Sequence, residues 1–135
     1  MASQWDQIAI RSNERMLLMA QESFVLAASK VIERSPVDEG LFRNNWFSGL
    51  NSPNEKTTDA KSKKPFGELG GARYQEALEV SSEMVLGDKA YFTNRLPYNF
   101  RLEYDSWSDM APNGMVRITA AEWPSIVEKT ARNIK

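Results

Sequence analysis

From about Ser3 to Arg34 the chain spaces its apolar residues three and four apart, with no Gly or Pro to interrupt. At about 100° per residue, Ile10, Leu17, Ala20, Phe24, Ala27, Ala28, Val31 and Ile32 share one broad face. Arg11, Arg15, Glu22, Ser29 and Glu33 mark the opposite face. This predicts one long helix over 3–34, a rod of roughly 45 Å at 1.5 Å per residue. Ser3 can cap it, with Asp6 three residues on as a variant of the capping box. The helix should stop at Ser35, because the residue before Pro36 is pushed out of helical geometry. Ile8, Met19 and Leu26 fall within the polar face. They are either scattered surface hydrophobes, which monomers tolerate, or a second apolar stripe that meets another subunit.

Pro36 to Gly40 reads as a tight turn, since Pro fixes φ, Asp38 bonds backbone and Gly permits positive φ. Leu41 to Leu50 alternates loosely, and Phe42, Trp46 and Phe47 favour a strand. Residues 51–71 combine prolines, glycines and lysines with few large apolar groups, which predicts a long mobile loop. Ala72 to Val85 returns to helical spacing, with Tyr74, Ala77, Leu78 and Val85 on one side. Lys89 to Asn94 reads as a short strand, Pro97 opens a short helix through Tyr104, and 105–114 as a loop. The last segment has two readings. Either Met115 to Thr119 is a strand, with Thr119 and Glu122 capping a following helix, or one helix starts near Asn113 and bends at Pro124. The pattern favours the bent helix.

Composition narrows the function. A chain of 135 residues holds a single domain. Its 41% apolar and 26% charged residues are those of an ordinary globular protein. With 17 Lys and Arg against 18 Asp and Glu, it lacks the basic excess of a dedicated nucleic-acid binder. It has neither Cys nor His, which excludes disulfides, thiol nucleophiles, histidine-ligated metals and Ser-His-Asp catalysis. Residues 1–10 lack the apolar core of a signal peptide, and no run approaches the roughly 18 apolar residues of a membrane span. The expectation is a protein that stays where it is made, without a membrane, a metal or a cofactor.

The remaining candidate chemistry is thin. Gly67 to Gly71 is glycine-rich but lacks the Gly-Lys-Ser/Thr ending of a phosphate loop. Asp38 with Glu39, and Glu103 with Asp105, are too close in sequence to face one scissile bond. A carboxylate enzyme acting on a cell-wall sugar would need two acids converging in a cleft. Lys61, Lys63 and Lys64 offer phosphate contacts, so the alternative function is a nucleic-acid-contacting accessory protein using loop 61–64. Four Trp, four Tyr and six Phe exceed what a core this size requires, which suggests subunit contacts.

Three ordered segments carry a family resemblance. Ser35-Pro-Val-Asp-Glu-Gly-Leu-Phe-Arg-Asn-Asn-Trp46, directly after the long helix, resembles the turn-to-strand signature of neck and tail-completion proteins of long-tailed, lambda-like bacteriophages. Tyr91-Phe-Thr-Asn-Arg-Leu-Pro-Tyr-Asn-Phe-Arg-Leu-Glu-Tyr104 resembles that family's second signature, although Asp105 stands where its glycine usually follows. Ala111-Pro-Asn-Gly-Met-Val-Arg117 resembles the entry to its C-terminal helix.

The resemblance implies an α+β fold, with a long N-terminal helix and a C-terminal helix packed on a small antiparallel sheet. It implies a homo-oligomer, commonly a hexameric ring, at the head–tail junction of the virion, assembled in the host cytoplasm with other tail or head-completion proteins. DNA would pass through the ring without sequence-specific binding, and no cofactor or catalysis is implied. A ring subunit needs a heterologous interface that closes by rotation. The expected interface residues are Ile8, Met19, Leu26, Trp46 and Tyr104, with Asp38 and Arg43, and Arg101 and Glu103, as pairs across or within subunits. The loop lysines Lys61, Lys63 and Lys64 join that set.

Overall fold

The computed structural model describes residues 3–35, 42, 45–58, 68–96, 103 and 114–134. Among the described residues six elements follow in order: α1 (Gln4–Arg34), β1 (Trp46–Leu50), α2 (Glu68–Glu83), β2 (Ala90–Asn94), α3 (Val116–Ala121) and α4 (Trp123–Asn133). The class is α+β, with a two-stranded antiparallel sheet. Both ends of α1 are set locally. The Ser3 hydroxyl accepts from the Asp6 amide at 3.1 Å while the Asp6 carboxylate accepts from the Ser3 amide at 3.2 Å. At the other end Ser35 leaves helical geometry, with ψ 135°.

The strands pair from Trp46 opposite Asn94 to Leu50 opposite Ala90. Trp46, Ser48 and Leu50 therefore share a face with Asn94, Phe92 and Ala90. Trp46 stacks on Phe92 with ring centroids 5.1 Å apart, and Phe24 of α1 meets Phe92 edge-on at 6.3 Å. Val31, Ile32, Phe42, Trp46 and Met115 form the buried cluster, with Tyr74, Phe92 and Leu96 packed against it. The core thus sits where the C-terminal half of α1, the sheet and the start of α3 converge.

Helix α2 packs on both α1 and β1. Its Glu76 carboxylate accepts from the Ser48 amide at 2.6 Å, and the Asn54 side chain donates to the Ser48 carbonyl at 2.9 Å. These two side chains satisfy both backbone groups of Ser48 at the outer edge of β1, where another strand could otherwise pair. Arg73 lies over the Phe47 ring at 4.1 Å. Helix α4 packs along α1. The C-terminal helix therefore covers the long helix, while α1 and α2 both meet the sheet.

Several expectations are corrected. The apolar face assigned to α1 is buried only toward its C-terminus, at Ala28, Val31 and Ile32, while Ile10 is exposed. Core contact stops because α1 is longer than the rest of the fold. The loop over 51–71 ends early, since α2 starts at Glu68 and takes in Gly70 and Gly71. Its first part is pinned: buried Asn45 exchanges two hydrogen bonds with the Thr58 backbone, at 3.0 and 2.9 Å, and Thr93 donates to the Asn54 carbonyl. Residues 59–67 lie outside the described residues, as does the turn at 36–40. Val85 follows the end of α2 and is exposed.

The C-terminal segment is helical and broken at Glu122, with Pro124 in the first turn of α4. This is the bent-helix reading, with the break two residues earlier than the proline. A ring in the first turn costs no intrahelical bond, so Pro124 starts the new helix. The capping box does not form. The Thr119 hydroxyl donates to the Met115 carbonyl instead, and Glu122 turns to Arg34.

Trp46→Ala should lose about 3–5 kcal/mol of folding free energy, because it empties the centre of the core. Urea unfolding followed by circular dichroism measures this.

Candidate functional site

The three segments that carry the resemblance meet one another. Within the first, the Trp46 indole donates to the Ser35 hydroxyl at 2.7 Å, and that hydroxyl donates to the Val31 carbonyl at 2.7 Å. The two ends of the segment are thereby closed on the last turn of α1. The first and second segments join where the Asn94 amide donates to the Phe42 carbonyl at 2.9 Å. Asn94 also closes β2, its side-chain oxygen accepting from the Leu96 amide.

The second and third segments join at Glu103, which is 93% removed from solvent. Its Oε2 accepts from the amides of Met115 and Val116 at 2.8 and 3.0 Å, and its Oε1 from the Arg117 amide at 2.6 Å. These are the unpaired donors at the start of a helix, so a remote carboxylate supplies the cap that Met115 cannot. The Arg117 guanidinium bonds the Glu103 backbone carbonyl and lies 3.4 Å from its Oε1. Such charge-assisted bonds compensate the burial of the carboxylate. Gly114 is required beside it. Its φ is +82°, and a Cβ there would lie 2.6 Å from both the backbone and a side-chain oxygen of Glu103.

This geometry reassigns two expected interface residues. Trp46 is 5% exposed and belongs to the core, and Glu103 is the cap of α3. Both are polar or aromatic groups whose partners lie far along the chain, which spacing alone does not reveal. Asp38, Arg43, Lys61, Lys63, Lys64, Arg101 and Tyr104 lie outside the described residues. Of the proposed second stripe, Ile8 is exposed, while Met19 and Leu26 are half-buried.

A different surface stands out. Every residue from Ser3 to Met16 is exposed, so about 21 Å of α1 extends beyond the core. This arm carries Trp5 at 77% exposure, with Ile8, Ile10 and Met16 at 45, 51 and 58%. Trp5 was not among the expected contacts, and its place in the first turn, ahead of the regular apolar spacing, hides it. Large apolar groups grouped on one projecting rod are uncommon on a lone domain.

A second feature is an open apolar recess of about 180 Å³ between α1, the sheet and α3. Phe24, Ala27 and Val31 of α1, Phe92 of β2, and Val116 and Ala120 of α3 line it. The Thr119 hydroxyl at its wall is occupied, donating to the Met115 carbonyl and accepting from Arg34 at 3.0 Å.

Beside the recess, Arg34 grips Glu122 through two bonds of 2.8 Å, with Lys30 at 3.5 Å. The Arg34 hydrogen bonds hold the Glu122 carboxyl below its ordinary value, against a weaker opposing effect of desolvation. Asp88 is likewise lowered, first by the Val85 amide and then by the Asn51 side chain at the sheet's far end. Among the described residues no helix is long and apolar enough to cross a membrane, and no group of three or more acidic side chains is placed to hold a metal. Comparisons with protein-family models, with curated proteins and with solved structures find no match for this chain.

Glu103→Ala and Gly114→Ala should each destabilise the fold by about 1–3 kcal/mol or more, the first by orphaning buried amides, the second by collision. Glu103→Gln should lose less than Glu103→Ala, because its amide oxygen can still accept; thermal melting orders the three. The Glu122 pair gives a pH signature. Its folded-state carboxyl titrates below the unfolded one, so its stabilisation is full above about pH 4.3 and fades as pH falls through the folded value. Wild type and Glu122→Gln should therefore differ in Tm near neutrality and converge in acid.

Proposed function

We propose that this chain is a virion assembly protein, a ring subunit at the head–tail junction that completes the head-proximal end of a phage tail. The observation that carries the reading is the interlocking of the three resembling segments. Ser35 bonds Trp46, Phe42 bonds Asn94, and Glu103 bonds Met115 to Arg117. Residues that resemble a family's signatures and also hold one another in place are behaving as a single structural unit.

The mechanism is assembly. The buried parts of the signatures build a rigid core, and the exposed arm of α1 is free to contact a neighbour. A net charge of -1 suits a collar through which DNA must slide, since a strongly basic lining would hold phosphates. Oligomerisation and docking are the activity, and no reacting group is required.

Deleting the gene from the genome that carries it should leave DNA-filled heads and separate tails, seen by electron microscopy. Joined, infective particles from the deletion would overturn the reading.

A further inference from the structure

The fold closes one edge of its small sheet at Ser48 and leaves backbone donors and acceptors unmet along the other. We propose that the outer edge of β2 pairs antiparallel with β2 of a second copy, about a two-fold axis at Tyr91.

The ladder fixes which backbone groups face outward. In β1 the Ser48 amide donates to Glu76 and its carbonyl accepts from Asn54, so both point away from β2. Ser48 lies opposite Phe92, and the two are therefore a pair without mutual hydrogen bonds. The N–H and C=O of Phe92 point to the far side of β2, as do those of Ala90, two residues along. Lys89 keeps the alternation, its carbonyl accepting from the Asn51 amide on the β1 side. Among the described residues the outward groups of Ala90 and Phe92 have no hydrogen-bond partner, and no element but β1 runs along β2.

Donors and acceptors set out at strand spacing are matched by another extended backbone. Because Glu76 and Asn54 occupy Ser48 at the centre of the β1 edge, a second copy pairs here through its own β2. Both free residues of each strand are used when Ala90 lies opposite Phe92 of the second copy, since each such pair exchanges both of its hydrogen bonds. That register sets Tyr91 against Tyr91 on the axis. The side chains agree with it. On the face turned to α1, small Ala90 sits beside large Phe92; on the other face the two Tyr91 rings meet at the close spacing of a non-hydrogen-bonded pair, and Lys89 faces Thr93. Sliding the second copy two residues toward Asn94 would set Lys89 against Arg95, and like charges directly opposed destabilise a sheet.

Two strands alone make a marginal sheet in water, and pairing extends this one to the order β1-β2-β2-β1. The contact is isologous, so it closes on itself as a dimer instead of growing. The inference goes beyond the head–tail reading and does not rest on it. A two-fold pairing and the rotation that closes a ring are separate contacts, and the failure of this one leaves the outcome of the gene deletion untouched.

Amide hydrogen exchange followed by NMR over a concentration series tests the pairing without any substitution. The Tyr91 and Thr93 amides face β1 and should be protected at every concentration. Those of Ala90 and Phe92 should gain protection, at least tenfold, only as sedimentation shows the dimer forming. Ala90→Pro removes an outward N–H, leaves the bonds to β1 in place and should weaken the dimer at least tenfold. Tyr91→Lys and Tyr91→Glu each set like charges across the axis and should do the same, whereas their equimolar mixture should recover a heterodimer. Circular dichroism confirms that each variant folds. Ala90 and Phe92 amides that exchange freely at all concentrations overturn the proposal. Full protection of both in the monomer also overturns it, because another part of the same chain then covers the edge. A dimer that survives Ala90→Pro, or a Lys–Glu mixture no tighter than either variant alone, overturns the pairing as well.

Discussion

The indole of Trp46 joins the long helix, both strands and the turn before β1. Its N–H reaches Ser35 at the end of α1, its face stacks on Phe92 of β2, and its edge meets Phe42 at 5.7 Å. Burying an indole needs a partner for its one polar atom. Ser35 supplies it and passes the bond on to the Val31 carbonyl, one of those a helix leaves unpaired at its end. One side chain thus finishes the long helix, starts the first strand and sets where the second must lie.

Around that centre, the remaining polar groups are satisfied from a distance. Glu103 caps α3, Glu76 and Asn54 close the edge of β1, Asn45 holds the Thr58 backbone, and Arg34 ties α1 to the break before α4. The shared reason is size. With two short strands and a core of few large side chains, backbone groups left unpaired by short elements lack neighbouring elements to bond them. Side chains take that role. The exposed pairs among them add little energy individually, while the buried carboxylate of Glu103 is costly to remove because three backbone amides donate to it.

Helix α1 divides into a packed half and a projecting half. Its C-terminal half is an ordinary core helix, and its N-terminal half repeats apolar residues with nothing in the described molecule to cover them. A helix stabilised along only half its length would ordinarily fray, since tertiary packing supplies most helical stability. The reciprocal Ser3–Asp6 cap opposes fraying at the free end. The cap thus keeps the projecting apolar groups on a regular helix.

The sequence by itself determined three of the elements and nearly all of their limits. The span of α1 with its cap, the strand at Lys89 to Asn94, and the helical C-terminus broken near Pro124 follow from spacing, capping residues and proline geometry. These are local effects, settled within a few residues. Only the tertiary structure decided which apolar face is buried, why Gly114 must lack a side chain, and that Trp46 and Glu103 are buried within the fold. Those outcomes depend on contacts between residues up to dozens of positions apart. Periodicity reports that a face is apolar, and the length of the core decides how much of it leaves water.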